Sequence, residues 1–136
     1  MPAKDKYHDI VVRALEKEGW TILSEQVRLR IGERQLWIDL QIRNPEQQAL
    51  LLEVKSYDTA LSPVEFLKQA LGQYLLYRAI IDEIESDESL YLAIPTNAHE
   101  DIFLSEVGRL VVNKYAINLV IYDVLLEEIV EWIPKQ

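Results

Sequence analysis

Asp39, Glu53 and Lys55 are the residues of this chain whose types and spacing suit chemistry. Glu53 and Lys55 are two apart, so on a β-strand both side chains leave the same face. Asp39 lies fourteen residues earlier, on what reads as the neighbouring strand. An acid and a base at the end of a buried strand are costly to desolvate unless they pair with each other or with a metal. Two carboxylates on adjacent strands can hold Mg²⁺ or Mn²⁺, hard ions that prefer oxygen ligands. A lysine beside them can orient or activate an attacking water and offset charge on phosphoryl oxygens. The chemistry that uses such a set is phosphodiester hydrolysis. The alternative is an ordinary salt bridge, Glu53 with Lys55 or Asp39 with an arginine.

Three strands must position these groups. Val27, Leu29 and Ile31 alternate with Arg28 and Arg30, Gly32-Glu33 makes a turn, and Gln35 to Arg43 returns. Leu36, Ile38, Leu40 and Ile42 alternate there with Trp37, Asp39, Gln41 and Arg43, the period of a strand. After the turn at Asn44-Pro45-Glu46, Ala49 to Ser56 is nearly all apolar until Glu53, as a strand covered on both faces should be. Ser62-Pro63-Val64-Glu65 then marks a helix start, with serine as cap and proline at the first position. That helix runs to about Ile84, and its apolar residues spread around most of its circumference, which predicts a largely buried element. Gln69, Gln73 and Tyr77 repeat every four residues and share one side of it.

A first helix is expected over residues 4–18, with Ile10, Val11, Ala14 and Leu15 as its apolar stripe and Gly19 as its stop. His8 stands one turn before the stripe, as a surface or capping histidine on sequence alone. Ser89 to Pro95 and Ile117 to Tyr122 read as further buried strands, with a helix over residues 100–114 between them. Glu127 to Trp132 reads as an edge strand or a short helix.

The chain has 136 residues, 49% hydrophobic and 27% charged, a length and mixture that suit one globular domain over residues 1–136. No apolar run reaches transmembrane length and the amino end lacks a signal-peptide core, so a cytoplasmic protein without membrane association is expected. With no cysteine, disulfides, thiolate zinc sites and a cysteine nucleophile are excluded. The net charge of −9 is unevenly held. Residues 1–78 carry eleven Lys/Arg and eleven Asp/Glu, whereas residues 79–136 carry three and twelve. The half with the candidate site is therefore neutral, and the total charge does not exclude a nucleic-acid partner, although no strong basic footprint appears.

The order α-β-β-β-α-β, with the acids on the second and third strands, resembles the PD-(D/E)XK nuclease superfamily. Asp39 matches its first acid, Glu53-Val54-Lys55 its (D/E)-x-K, and Gln73-Tyr74-Leu75-Leu76-Tyr77 the Gln-hydrophobic-x-x-Tyr signature of RecB-like members. Ile38 replaces the proline that usually precedes the first acid. Over nearly its whole length the chain resembles the narrower XisH-like family, the fdxN-element excision controlling factors. The carrying residues are Lys4-Asp5-x-x-His8, Ala14 to Trp20, Glu53 to Ser56, Gly72-Gln73-Tyr74 with Tyr77, Leu92 to Pro95, and Ile129 to Trp132. The resemblance implies an α/β fold with a mixed sheet and a restriction-endonuclease-like core. It implies Asp39, Glu53, Lys55 and Gln73 as catalytic residues, with Tyr77 in support. It further implies Mg²⁺ or Mn²⁺ on Asp39 and Glu53, with His8 approaching the same ion. The implied context is programmed DNA excision in cyanobacteria, with DNA, a small XisI-like protein and a site-specific recombinase as partners; a homodimer is left open. Two roles fit: a metal-dependent DNA endonuclease, or a non-catalytic factor that uses the nuclease-like fold to bind DNA or a protein.

Overall fold

The computed structural model describes residues 6–57 and 59–136. Lys4 and Asp5, part of the pattern that ends at His8, lie outside the described residues.

The first helix, α1 (His8–Lys17), buries His8, Val11, Ala14 and Leu15, the stripe that the helical spacing predicts. Gly19 ends it at φ +91°, and the amides of Gly19 and Trp20 close back on Glu16 and Leu15. Then come β1 (Thr21–Ile31), β2 (Arg34–Arg43) and β3 (Ala49–Val54), an antiparallel meander. Gly32, at φ +58°, makes the tight turn between the first two. The long helix α2 (Pro63–Glu83) starts where Ser62 accepts a hydrogen bond from the Glu65 amide. It carries the chain over to β4 (Ser89–Pro95), which lies parallel to β3. After a short helix α3 (Thr96–Ala98), a π-turn (His99–Phe103) and α4 (Glu106–Tyr115), β5 (Leu119–Asp123) adds parallel to β4 and β6 (Glu128–Ile133) antiparallel at the edge. The six strands lie in sequence order, β1-β2-β3-β4-β5-β6.

Two apolar clusters cover the sheet. α1 packs with Leu40, Ile42, Leu50, Leu52, Tyr91 and Tyr122 on one face. α2 and the segment Ala98–Phe103 pack with Ile38, Leu51, Leu92 and Ile121 on the other. Central strand β3 is buried on both faces, as its run of leucines predicts.

Four expectations need correction. The period of two does not hold along β2: Ile38 joins the α2-side cluster, whereas Leu40 and Ile42 join the α1-side cluster. The crossover falls at Asp39, opposite Gln26, which stands in the left-handed region at φ +58°. A strand with such an irregularity re-aims its side chains instead of alternating them. The helix expected over residues 100–114 is interrupted, because Ser105 caps a new helix by accepting from the Gly108 amide. Gly108 is required there: a Cβ would stand 2.1 Å from the Ile102 carbonyl oxygen. α2 is buried on one side only, with Val64 and Leu76 exposed, since just one sheet face reaches it. The expected third strand over residues 49–56 ends at Val54, so Lys55 lies just past its last residue.

Candidate active site

Glu53 closes β3 with a side chain that is 3% exposed. Being odd-numbered like Leu51, it faces α2, as does its β4 neighbour Leu92. Asp39 lies across from it on β2, where the face crossover turns its carboxylate to the same side. The Asp39 amide donates to Glu53 Oε1 at 3.2 Å, and the Val54 amide donates to Asp39 Oδ2 at 2.7 Å. Each acid is thus held by the backbone of the other strand, which fixes both without long flexible stems.

Gln73 reaches down from α2 between acid and base. Its Nε2 donates to Glu53 Oε2, and its Oε1 accepts from Lys55 Nζ at 3.0 Å. Among the described residues no ion pair joins Lys55 directly to either carboxylate, so the simple Glu53–Lys55 salt bridge is not what forms. The amide stands between them as a bridge. Tyr77, one turn further on, has its hydroxyl 3.5 Å from Gln73 Nε2, and burial pushes that phenol above its usual range. Gln69, which shares their side of the helix by spacing, is exposed and takes no part.

The electrostatics of the pair are unbalanced. Burial, then the charge of Asp39 and a hydrogen bond with its carboxyl, push the Glu53 carboxyl up to about 10 from 4.5. The positive charge of Lys55 and the bond from the Asp39 amide offset only part of this. At neutral pH the Glu53 carboxyl is therefore protonated. Such a site fits a hard divalent cation: a buried and a half-buried carboxyl group lie side by side, and a dication can take the place of the Glu53 proton.

His8 is placed elsewhere. Its ring Nε2 lies 2.6 Å from Glu25 Oε1, and among the described residues no hydrogen bond joins it to Asp39 or Glu53. Glu25 pairs with Leu40, on the α1 side of the sheet, whereas Glu53 faces α2. The two groups are linked through the chain, since Gln26 follows Glu25 and its Nε2 stands 3.5 Å from Asp39 Oδ1. Asp9 adds to the His8 group, with ligand-type atoms of the three residues within 4.8 Å of one another.

Two contributors are not singled out by the sequence reading. Tyr122, on β5, donates to the Lys55 carbonyl at 2.6 Å, while the Lys55 amide donates to Ala93 on β4. Together they hold the backbone of Lys55 beyond the end of its strand. Gln26 is the other, a polar residue buried just before the alternating run Val27–Ile31, and nothing in its own type or spacing marks it.

Two acids on adjacent strands, a lysine two residues on and a helix glutamine that bonds both Glu53 and Lys55 thus stand together on a β-β-β-α-β core within the six-stranded mixed sheet. A family model described as XisH protein matches residues 1–130, and the chain belongs to that family. Among solved structures it is similar to an fdxN element excision controlling factor from Anabaena variabilis, with 29% identity, a TM-score of 0.87, and 93% of this chain and 97% of that one covered. An XisH family protein from Nostoc punctiforme aligns as well, with 29% identity, a TM-score of 0.86, and coverage of 94% and 98%. A chain of an EndoMS–dsDNA complex, 13% identical, aligns over 90% of this chain and 47% of its own length with a TM-score of 0.51, a likeness of fold alone. A search of the curated proteins finds no match. Among the described residues no helix is long and apolar enough to cross a membrane.

Proposed function

We propose that this chain is a cytoplasmic, metal-dependent DNA endonuclease that acts in the programmed excision of a DNA element. The observation that carries the reading is the Asp39–Glu53 pair: a carboxyl held neutral by burial and by an adjacent acid is a place where a cation can take over from the proton. Asp39 and Glu53 would hold Mg²⁺ or Mn²⁺, which would supply Lewis-acid chemistry to phosphodiester hydrolysis. Lys55 places its ammonium where charge grows on the phosphoryl oxygens and where an attacking water needs orientation. Gln73 fixes the distance between Lys55 and Glu53 by bonding both, and Tyr77 limits its rotation. His8 steadies β1 through Glu25, next to Gln26 and hence to Asp39. Calorimetric titration with Mn²⁺ is expected to show one site that disappears in Glu53→Ala; equal binding by both proteins would place any metal elsewhere.

The charge distribution favours a second role beside this one, and it is also how a non-catalytic controlling factor would work. Asp82, Glu83, Glu85, Asp87 and Glu88 gather at the end of α2 and in the loop before β4. Leu50, at the start of β3, lies beside Ser89, and Glu53 beside Leu92, so this loop sits at the opposite end of the sheet from the site. An acidic face repels phosphates over about a Debye length, roughly 8 Å at physiological salt, and attracts a basic protein surface instead. In this reading residues 28–55 face nucleic acid while residues 82–106 dock an XisI-like partner, and a recombinase completes the excision. Replacing the five acids with Ser or Gln is expected to slow partner association and flatten its salt dependence while leaving Mn²⁺ binding untouched. Association unchanged in rate and in salt response would reduce the stretch to a solubilising surface.

A further inference from the structure

We propose that Gln26 supplies a third protein oxygen to the cation site, its side-chain carbonyl joining the carboxylates of Asp39 and Glu53. The inference rests on the cation reading above and adds a ligand to it. Gln26 sits between the strand pairs Glu25–Leu40 and Val27–Ile38, directly across from Asp39. Its φ of +58° is a conformation that side chains other than glycine's rarely adopt, and residues held so tend to gather at functional sites. It is 7% exposed, and its amide is used on one side only: Nε2 stands 3.5 Å from Asp39 Oδ1, while Oε1 is buried without a hydrogen-bond partner among the described residues.

A buried amide oxygen with two free lone pairs is costly, and a strained backbone that holds it beside a carboxyl pair compounds the cost. Hard divalent ions accept amide carbonyl oxygens alongside carboxylates. A dication with two carboxylates is already balanced, so a neutral amide oxygen completes the set without adding a charge that must be desolvated when the site is empty. The terminal amide torsion of glutamine is broad, so a half-turn exchanges its nitrogen and oxygen. The same side chain thus donates to Asp39 when the pair stands alone and offers oxygen when a cation lies between the acids.

Calorimetric Mn²⁺ titration of wild type, Gln26→Met and Gln26→Glu tests this, with melting curves in EDTA taken on each. Methionine keeps the length and removes the hard donor, so a single site about tenfold weaker is expected. Glutamate keeps an oxygen at the same reach and is expected to bind at least as tightly as wild type. Met-variant affinity equal to wild type overturns the proposal, and so does that equality combined with a lowered melting temperature, which assigns the oxygen to a buried water. If Gln26→Met does not fold, the glutamate variant decides: binding weaker than wild type overturns the role of the oxygen. Wild type without any Mn²⁺ site removes the cation reading itself, a different result from loss of Gln26 alone.

Discussion

Lys55→Ala is expected to slow DNA cleavage by about 10²–10³-fold, the usual effect of removing one preorganised electrostatic group from a reacting centre. Its Mn²⁺ affinity should hold or rise, because the substitution removes a positive charge beside the two acids. The fold should tolerate the change. The main chain at Lys55 is tied to β4 through Ala93 and to β5 through the Tyr122 hydroxyl, and neither bond uses the lysine side chain. What the variant loses is the bond from Nζ to Gln73 Oε1, so a destabilisation of about 1 kcal/mol is expected in EDTA. Cleavage kinetics and calorimetry on one preparation separate the two effects. Unaltered cleavage would mean that the lysine only fills its place beside the glutamine.

Glu53→Gln should do the reverse: abolish Mn²⁺ binding and cleavage, yet stabilise the metal-free protein. In the fold the Glu53 carboxyl is raised to about 10 from 4.5, so the folded state favours the protonated form. Its contribution to stability is complete below about pH 4.5 and is lost as pH rises toward about 10. At pH 7 the loss amounts to about 3 kcal/mol by linkage. Glutamine imitates the protonated acid, with an N–H₂ toward Asp39 and an oxygen for a neighbouring donor. A gain of about 2 kcal/mol in EDTA at pH 8 is therefore expected, roughly 5–10 °C in melting temperature. Wild type should lose stability steadily from pH 5 to pH 9 while the variant stays nearly flat. A variant less stable than wild type at pH 8 without metal would mean that the three charges form a structural network with Glu53 ionised.

Much of this site is legible in the chain because it depends on short-range geometry. Glu53 and Lys55 share a face by the pleat of a strand, and Gln73 and Tyr77 share a face by the turn of a helix. Ser62-Pro63 fixes where that helix begins, and so how far down it Gln73 lies. Asp39 is reached by a rule that the structure breaks, since β2 does not alternate through that position. A period-two pattern assumes a regular pleat, and no residue in the stretch signals that Gln26 opposite is left-handed. The crossover is what aims Asp39 at Glu53, so the motif points to the pairing while the alternation alone does not.

Long-range partners stay hidden for a different reason. Tyr122 meets Lys55 only because β4 and β5 line up parallel beyond β3, a register that the sequence does not state. The half-exposed state of α2 escapes the pattern because apolar residues all round a helix read as burial all round it. Leu76 and Val64 are simply apolar residues on its outer side. His8 shows the limit of reading roles from order along the chain. Its place on α1 is as expected, but it is buried instead of standing at the surface or as a cap, and the strand residue that it meets is Glu25.

The central claim is retained phosphodiester hydrolysis at Asp39, Glu53 and Lys55. Incubation of the purified protein with supercoiled, linear and branched DNA tests it most directly, with Mg²⁺ or Mn²⁺ and with EDTA, and with Lys55→Ala as control. The account predicts cleavage of at least one of these substrates with either ion, none in EDTA, and a rate at least about a hundredfold lower for the variant. Intact DNA at stoichiometric wild-type protein, or cleavage that Lys55→Ala performs equally well, would contradict it.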